Sequence, residues 1–232
     1  RLHAPFRLTN LGETLQLTSS TGRVMDRFSP GRTSVDMSSG RHVDEADVRV
    51  YFDEPTPGRP NTTNYFLGFV RDPEIQLIEG NTPDINHVHI ESPTTGSVVR
   101  YTLDGSEPNR YSERYTEPLT VTRSGPIRVR AWRDDLIPSE IVTRTVLFDA
   151  NHALPIVALS VDPEAMFDPL VGIHALGPDA EDELPYRGAN FWNPSEVPIH
   201  LEFYEDEDRL GFDMDLGLRI FGAYSRAMPK KS

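Results

Sequence analysis

Arg219, Gly222, Ser225, Arg226, Lys230 and Lys231 crowd into the last stretch of the sequence. Their types could cradle a phosphate. A tight glycine turn exposes backbone N–H groups, a serine adds a hydroxyl, and cations supply the charge. The plainer alternative is a solvated basic patch. Arg219 alternates onto the strand face that carries Gly217 and Phe221. Burying it without an anion would be costly, so it needs a phosphate or a carboxylate such as Asp213 or Asp215. His87 and His89 share one strand face and could hold a metal, but no third ligand follows at useful spacing, which favours two exposed histidines. The run Glu205 to Asp208 has no calcium-loop spacing, and consecutive acids on a strand point in opposite directions. It reads as a hairpin tip. Asp104 and Glu107 read as turn residues. No residue is assigned a catalytic role, and no metal ligand is assigned.

The elements that must position these groups are mostly strands. Val98–Leu103, Pro118–Thr122, Ile127–Trp132 and Ile141–Phe148 alternate with period two and are rich in β-branched and aromatic residues. Asp104-Gly105 and Pro138-Ser139 punctuate them, which predicts an antiparallel sandwich. Residues 70 to 149 are expected to fold alone, with Tyr101, Val129, Trp132 and Val146 in the core. Upstream, Glu13–Leu17 and Val24–Phe28 flank a Thr-Gly turn and predict a hairpin, while 36–41 and 56–61 read as turns. A linker is expected over 62–74, followed by strands at Ile75–Ile78 and His87–Ile90. Downstream, 152–160 and Val197–Tyr204 read as strands. Asp162-Pro163 caps a short helix, and Met214–Phe221 reads as the last strand before the Gly222 turn.

Composition bounds the rest. The chain has 232 residues, 37% of them hydrophobic, with 20 prolines and 16 glycines. Such numbers suit several small β modules better than one large core. A net charge of −13 argues against a nucleic-acid or anionic-membrane binder. The absence of cysteine excludes disulfides and thiolate chemistry. No apolar run reaches the roughly 20 residues of a membrane span. The opening at Arg1 and the ending at Lys230-Lys231-Ser232 suggest an excerpt of a longer protein. Oligomeric state is not legible.

Three resemblances organise the chain. PFRLTNLGETLQL, the hairpin into Val24-Met25-Asp26, DMSSGR and TPGRPN resemble the C-terminal half of a lamin-tail domain over 1–61. YTLDGSEP, YTEPL, IRVRAW and PSEIV resemble the chitobiase/β-hexosaminidase C-terminal module, an immunoglobulin-like sandwich, over 75–149. LPIVALSVDPEAMFD, VPIHLEFYEDED and GLRIFGAYSRAMPKKS resemble the beginning of a spore-coat-protein-H-like (CotH) kinase domain over 152–232. Together they imply a mainly β chain: immunoglobulin-like β-sandwich modules in series, followed by the incomplete N-terminal part of an α+β kinase-like domain. The kinase resemblance implies ATP with magnesium or manganese for the complete domain and no cofactor for this segment. It implies a secreted or surface-associated bacterial protein kinase acting on a protein substrate, with its metal-binding and base residues supplied from segments beyond this one. The competing expectation is a non-catalytic adhesive array that holds a wall, glycan or protein ligand. The chitobiase likeness by itself implies no glycoside hydrolysis, because accessory modules travel between enzymes.

Overall fold

The computed structural model describes residues 7–33, 36–42, 44–61, 64–79, 86–148, 154–205 and 209–229. Among them the chain is mainly β, with fifteen strands, one short α-helix and two 3-10 turns. It divides into two units, Arg1–Val70 with Trp132–Pro138, and Arg71–Ala131 with Ser139–Ser232.

In the first unit, β1 (Leu15–Thr18) and β2 (Val24–Phe28) form the expected hairpin, with Leu15 opposite Phe28. The turn closes through Ser19 N–H to the Arg23 carbonyl at 2.8 Å. A second sheet has the order β3 (Ser38–Arg41), β4 (Arg49–Phe52), β5 (Tyr65–Phe66). Val50, Tyr51 and Phe52 are its buried centre. Two expectations differ here. The segment SSGR, expected as a turn, is a strand because it pairs residue by residue with β4, and Gly40 lies where a Cβ would stand 3.2 Å from the Phe52 ring. Residues 65 and 66, expected as linker, pair with Phe52 and Tyr51. Beyond them, Leu67 and Val70 N–H groups bond the Asp135 and Ile137 carbonyls at 2.9 and 2.8 Å. Arg41 clamps Asp26 through two bonds of 2.6 and 3.0 Å, which holds that carboxyl below its usual range.

The second unit begins with two small sheets. One has the order β10-β7-β6 and the other β12-β11-β8-β9. Their strands are β6 (Glu74–Glu79), β7 (Asn86–Glu91), β8 (Val98–Thr102), β9 (Glu113–Arg114), β10 (Leu119–Val121), β11 (Gly125–Trp132) and β12 (Val142–Val146). All described pairings are antiparallel. Val88 and Ile90 from one sheet and Val99, Tyr101, Ile127, Val129, Ala131 and Val146 from the other are buried, the arrangement of a β-sandwich. Tyr101, Val129, Trp132 and Val146 are thus buried as expected. Fully burying a side chain of the size of Val129 contributes about 1.5–3 kcal/mol. β11 buries both faces, because Arg128 on the opposite side is also enclosed.

A third sheet follows with the order β13 (Ile156–Val161), β14 (Val197–Tyr204), β15 (Leu210–Leu218), antiparallel throughout. Between β13 and β14 lies α1 (Pro163–Phe167). The Asp162 side chain accepts from Glu164 N–H at 2.9 Å, so the cap and first-turn proline act as the sequence implies. One face of the sheet carries Val197 and Ile199, packed with Ile173, Ala165, Met166, Leu216 and Leu218. β15 begins and ends earlier than the expected Met214–Phe221. Glu205 N–H bonds the Arg209 carbonyl to close the β14–β15 hairpin. At the other end Ile220 leaves the ladder to pack beside Val197, Phe191 and Ala227.

Candidate functional site

The expected phosphate cradle starts where β15 ends. Gly222 adopts φ 117°, a conformation that a side-chain-bearing residue rarely accepts. A 3-10 turn at Tyr224–Ala227 follows. Arg219 is half exposed. Its Nε lies 4.0 Å from the Glu196 carboxylate, and its guanidinium lies 5.7 Å from the Phe221 ring. The carboxylate beside it is therefore Glu196, not Asp213 or Asp215, and the pairing is loose. Because β15 ends at Leu218, Arg219 and Phe221 lie beyond the strand on which alternation predicts a shared face. Ser225 is exposed in the 3-10 turn.

Arg226 is differently employed. Its guanidinium sits 4.6 Å from the Trp192 ring centre, and Nη1 donates to the Phe191 and Trp192 carbonyls at 3.3 and 3.4 Å. It joins the Tyr224–Ala227 turn to the 3-10 turn Asn190–Trp192, around the buried Phe191, Ala189 and Ala227. Ser225 and Arg226 thus share one short 3-10 turn, which Gly222 precedes, and Arg219 lies just past the end of β15. Lys230 and Lys231 lie outside the described residues.

The other face of β14 is polar. His200, Glu202 and Tyr204 alternate along it and all three are buried. His200 Nδ1 donates to Asp215 across the sheet at 2.8 Å, and its Nε2 lies 4.0 Å from the Asp213 carboxylate. Glu202 is fully buried. It accepts from Thr145 N–H at 3.2 Å, from the Thr145 hydroxyl, and from the Tyr204 hydroxyl at 2.8 Å. The Tyr204 hydroxyl also points at the Thr145 carbonyl, 3.1 Å away. Burial, then the neighbouring Glu202 charge and hydrogen bond, raise the Tyr204 ionisation above its usual range. Sequence reasoning finds in Val197–Tyr204 only a strand. The signal that could have marked more is a His-x-Glu-x-Tyr row on a strand with apolar alternate positions.

The remaining sequence candidates have ordinary partners. His87 Nδ1 meets Thr120 at 3.4 Å, and His89 meets the Tyr115 hydroxyl at 3.3 Å. Among the described residues no group of three His, Asp or Glu side chains is placed to hold a metal. Glu205 pairs with Arg209, and the rest of the acidic run, Asp206 to Asp208, lies outside the described residues. Asp104 accepts from Ser106 Oγ at 2.6 Å and N–H at 3.0 Å, which holds its carboxyl low and makes it the turn residue expected. Glu107 lies 3.9 Å from the buried Arg128. No helix among the described residues is long and apolar enough to cross a membrane.

Comparison with family models adds one assignment. The Fn3-associated family matches residues 88–146. That span runs from β7 to the end of β12 and so covers most of the sandwich. It makes this part of the chain similar to a β-sandwich accessory module. A comparison with curated proteins finds no match.

Proposed function

We propose that the chain is an accessory β-sandwich stem leading into the nucleotide-binding lobe of a CotH-kinase-like protein at the bacterial cell surface. The observation that carries this reading is a juxtaposition. A span similar to the Fn3-associated family is followed directly by an antiparallel sheet whose last strand runs into the Gly222 turn. In this reading residues 1–61 are the lamin-tail-like half-module, 62–74 a connector, 75–149 the chitobiase-C-terminal-like module and 152–232 the start of the kinase-like domain. The complete domain would take ATP with magnesium or manganese and transfer phosphate to a protein acceptor.

The residues fit one part of that ligand. Arg219 is half exposed with only a long ion pair, so its guanidinium can exchange Glu196 for a phosphate at little cost. The positive φ of Gly222 suits a turn that presents backbone N–H groups. Ser225 adds an exposed hydroxyl, and Lys230 and Lys231 follow it in sequence. Bound ATP would supply the transferable phosphoryl group; Arg219 and this turn would bind and orient its phosphates. Arg226 supports the alternative reading, a non-catalytic array that binds a wall, glycan or protein ligand. It is engaged with Trp192 and the Phe191 carbonyl, which leaves the cradle with fewer cations.

Titration of the full-length protein with ATP and magnesium or manganese tests the reading. Arg219→Ala should weaken ATP binding at least tenfold, about 1.4 kcal/mol, with little change in melting temperature. Unchanged affinity would remove Arg219 from the site, and no ATP binding by the unaltered protein would leave the adhesive array. The 232-residue chain alone should transfer no phosphate to a generic acceptor.

A further inference from the structure

β12 is the outer strand of its sheet, with β11 on one side and, among the described residues, no strand on the other. An edge strand carries outward N–H and C=O groups that need partners when buried. Thr145 is such a residue: it stands opposite Pro126 on β11, and it is buried. Its N–H donates to Glu202 Oε1 at 3.2 Å, and its carbonyl lies 3.1 Å from the Tyr204 hydroxyl, whose one proton it shares with Glu202. Its own hydroxyl donates to Glu202 Oε2. Every hydrogen-bonding group of Thr145 therefore meets one of two side chains on β14.

A second contact lies at the turn after β8. Gly105 has φ 93°, and a Cβ there would stand 2.5 Å from the Val161 carbonyl of β13. The buried Arg128 of β11 holds this turn by donating Nη1 to the Gly105 carbonyl at 2.8 Å. The sandwich thus touches the following sheet at two places, one on β12 and one at the turn after β8.

We infer that Glu202 and Tyr204 replace a pairing strand along the edge of β12 and fasten the Fn3-associated span to the β13-β14-β15 sheet. The two fold and unfold as one cooperative unit. Three consequences follow from the chemistry. The edge of β12 at Thr145 is closed to strand addition by a partner, so a ligand of the module must use another surface. Separating span from sheet by a cut between residues 149 and 155 would leave the Thr145 backbone groups without these partners and Glu202 without two of its three donors. The expectation that residues 70 to 149 fold alone then gives way to a larger unit. Glu202 is a positioning residue, and the inference stands apart from the nucleotide reading because it involves neither Arg219 nor the Gly222 turn.

Hydrogen–deuterium exchange on the whole chain provides the test, comparing wild type with Glu202→Gln and Tyr204→Phe. Glu202→Gln keeps the shape and turns one acceptor into a donor facing donors. Tyr204→Phe keeps the ring and removes only the hydroxyl. Each should speed exchange at least tenfold in peptides covering β12 and β13 together. In wild type, peptides from both regions should lose protection at the same urea concentration. Acceleration confined to β14, or separate transitions for residues 71–146 and 154–229, would overturn the inference. If Glu202→Gln does not fold, Tyr204→Phe alone carries the decision.

Discussion

Replacing Gly105 by alanine should be among the most damaging single-methyl additions to this chain. Two costs combine. At φ 93° an L side chain collides with its own backbone, worth about 1–2 kcal/mol. The new methyl would also stand 2.5 Å from the Val161 carbonyl oxygen, well inside ordinary contact. The obstacle is backbone of β13, hydrogen-bonded in register to β14, and it cannot swing aside as a flexible side chain would. Overpacking of this kind costs about 1–3 kcal/mol, for a total of roughly 2–5 kcal/mol. Gly96 provides the internal control. It has φ 77°, and a methyl added there would meet no atom within 4 Å, so Gly96→Ala should show the first cost alone. Urea unfolding of both variants at constant m-value reads the difference. Equal destabilisation by the two alanines would mean that the turn does not press on β13 and would refute the reasoning.

Alkaline pH should destabilise the fold through its buried phenols. Burial, with the Glu113 hydrogen bond, pushes Tyr101 up to about 12, and Tyr204 is raised as well. A raised acid holds its proton longer folded than unfolded, so this stability is complete below about pH 10 and is lost as pH climbs through the folded-state values. Urea midpoints from pH 8 to 11 should fall, and Tyr204→Phe should flatten the slope; an unchanged slope would place its hydroxyl in solvent. Arg226→Ala should lower stability by about 1–3 kcal/mol by removing the Trp192 stacking and charged bonds to two carbonyls, whereas Arg219→Ala should stay within about 0.5 kcal/mol. Thermal melts decide between them, and equal losses would mean that the two arginines have the same structural role.

The parts legible in the sequence are those in which local chemistry and tertiary demand agree. Val98–Thr102 and Ile127–Trp132 alternate because one face meets the other sheet, and Val99, Tyr101, Ile127 and Val129 are where period two puts them. Asp162-Pro163 announces α1 because the cap and the first turn are satisfied within a few residues. The SSGR strand is hidden by the reverse situation. Ser and Gly favour turns locally, and only pairing with Arg49–Phe52 makes the segment extended. Arg226 is ambiguous for a related reason: a cation near a glycine turn looks alike whether it awaits a phosphate or lies on Trp192, and the tryptophan is distant in sequence.

Glu202 marks the deeper limit. On a strand with one solvated face, a His-x-Glu-x-Tyr row opposite Ile199 and Leu201 is the ordinary pattern, and nothing in the alternation separates it from a buried one. A carboxylate can be enclosed only where donors replace its water. Here two of the three donors belong to Thr145, whose N–H is free for it because its own sheet ends at β12. Burial of Glu202 is therefore a property of two strands 57 residues apart, one supplying an edge and the other an acceptor. What the sequence could carry is the mismatch. Three polar side chains of unlike chemistry stand in a row on a strand; His200 faces Asp215, but Glu202 faces a like charge, Asp213 of β15. A like-charged cross-strand pair such as Glu202 and Asp213 is unfavourable in water as well. Such a pair holds together when something else binds it, and here that is the β12 edge of the preceding module at Thr145.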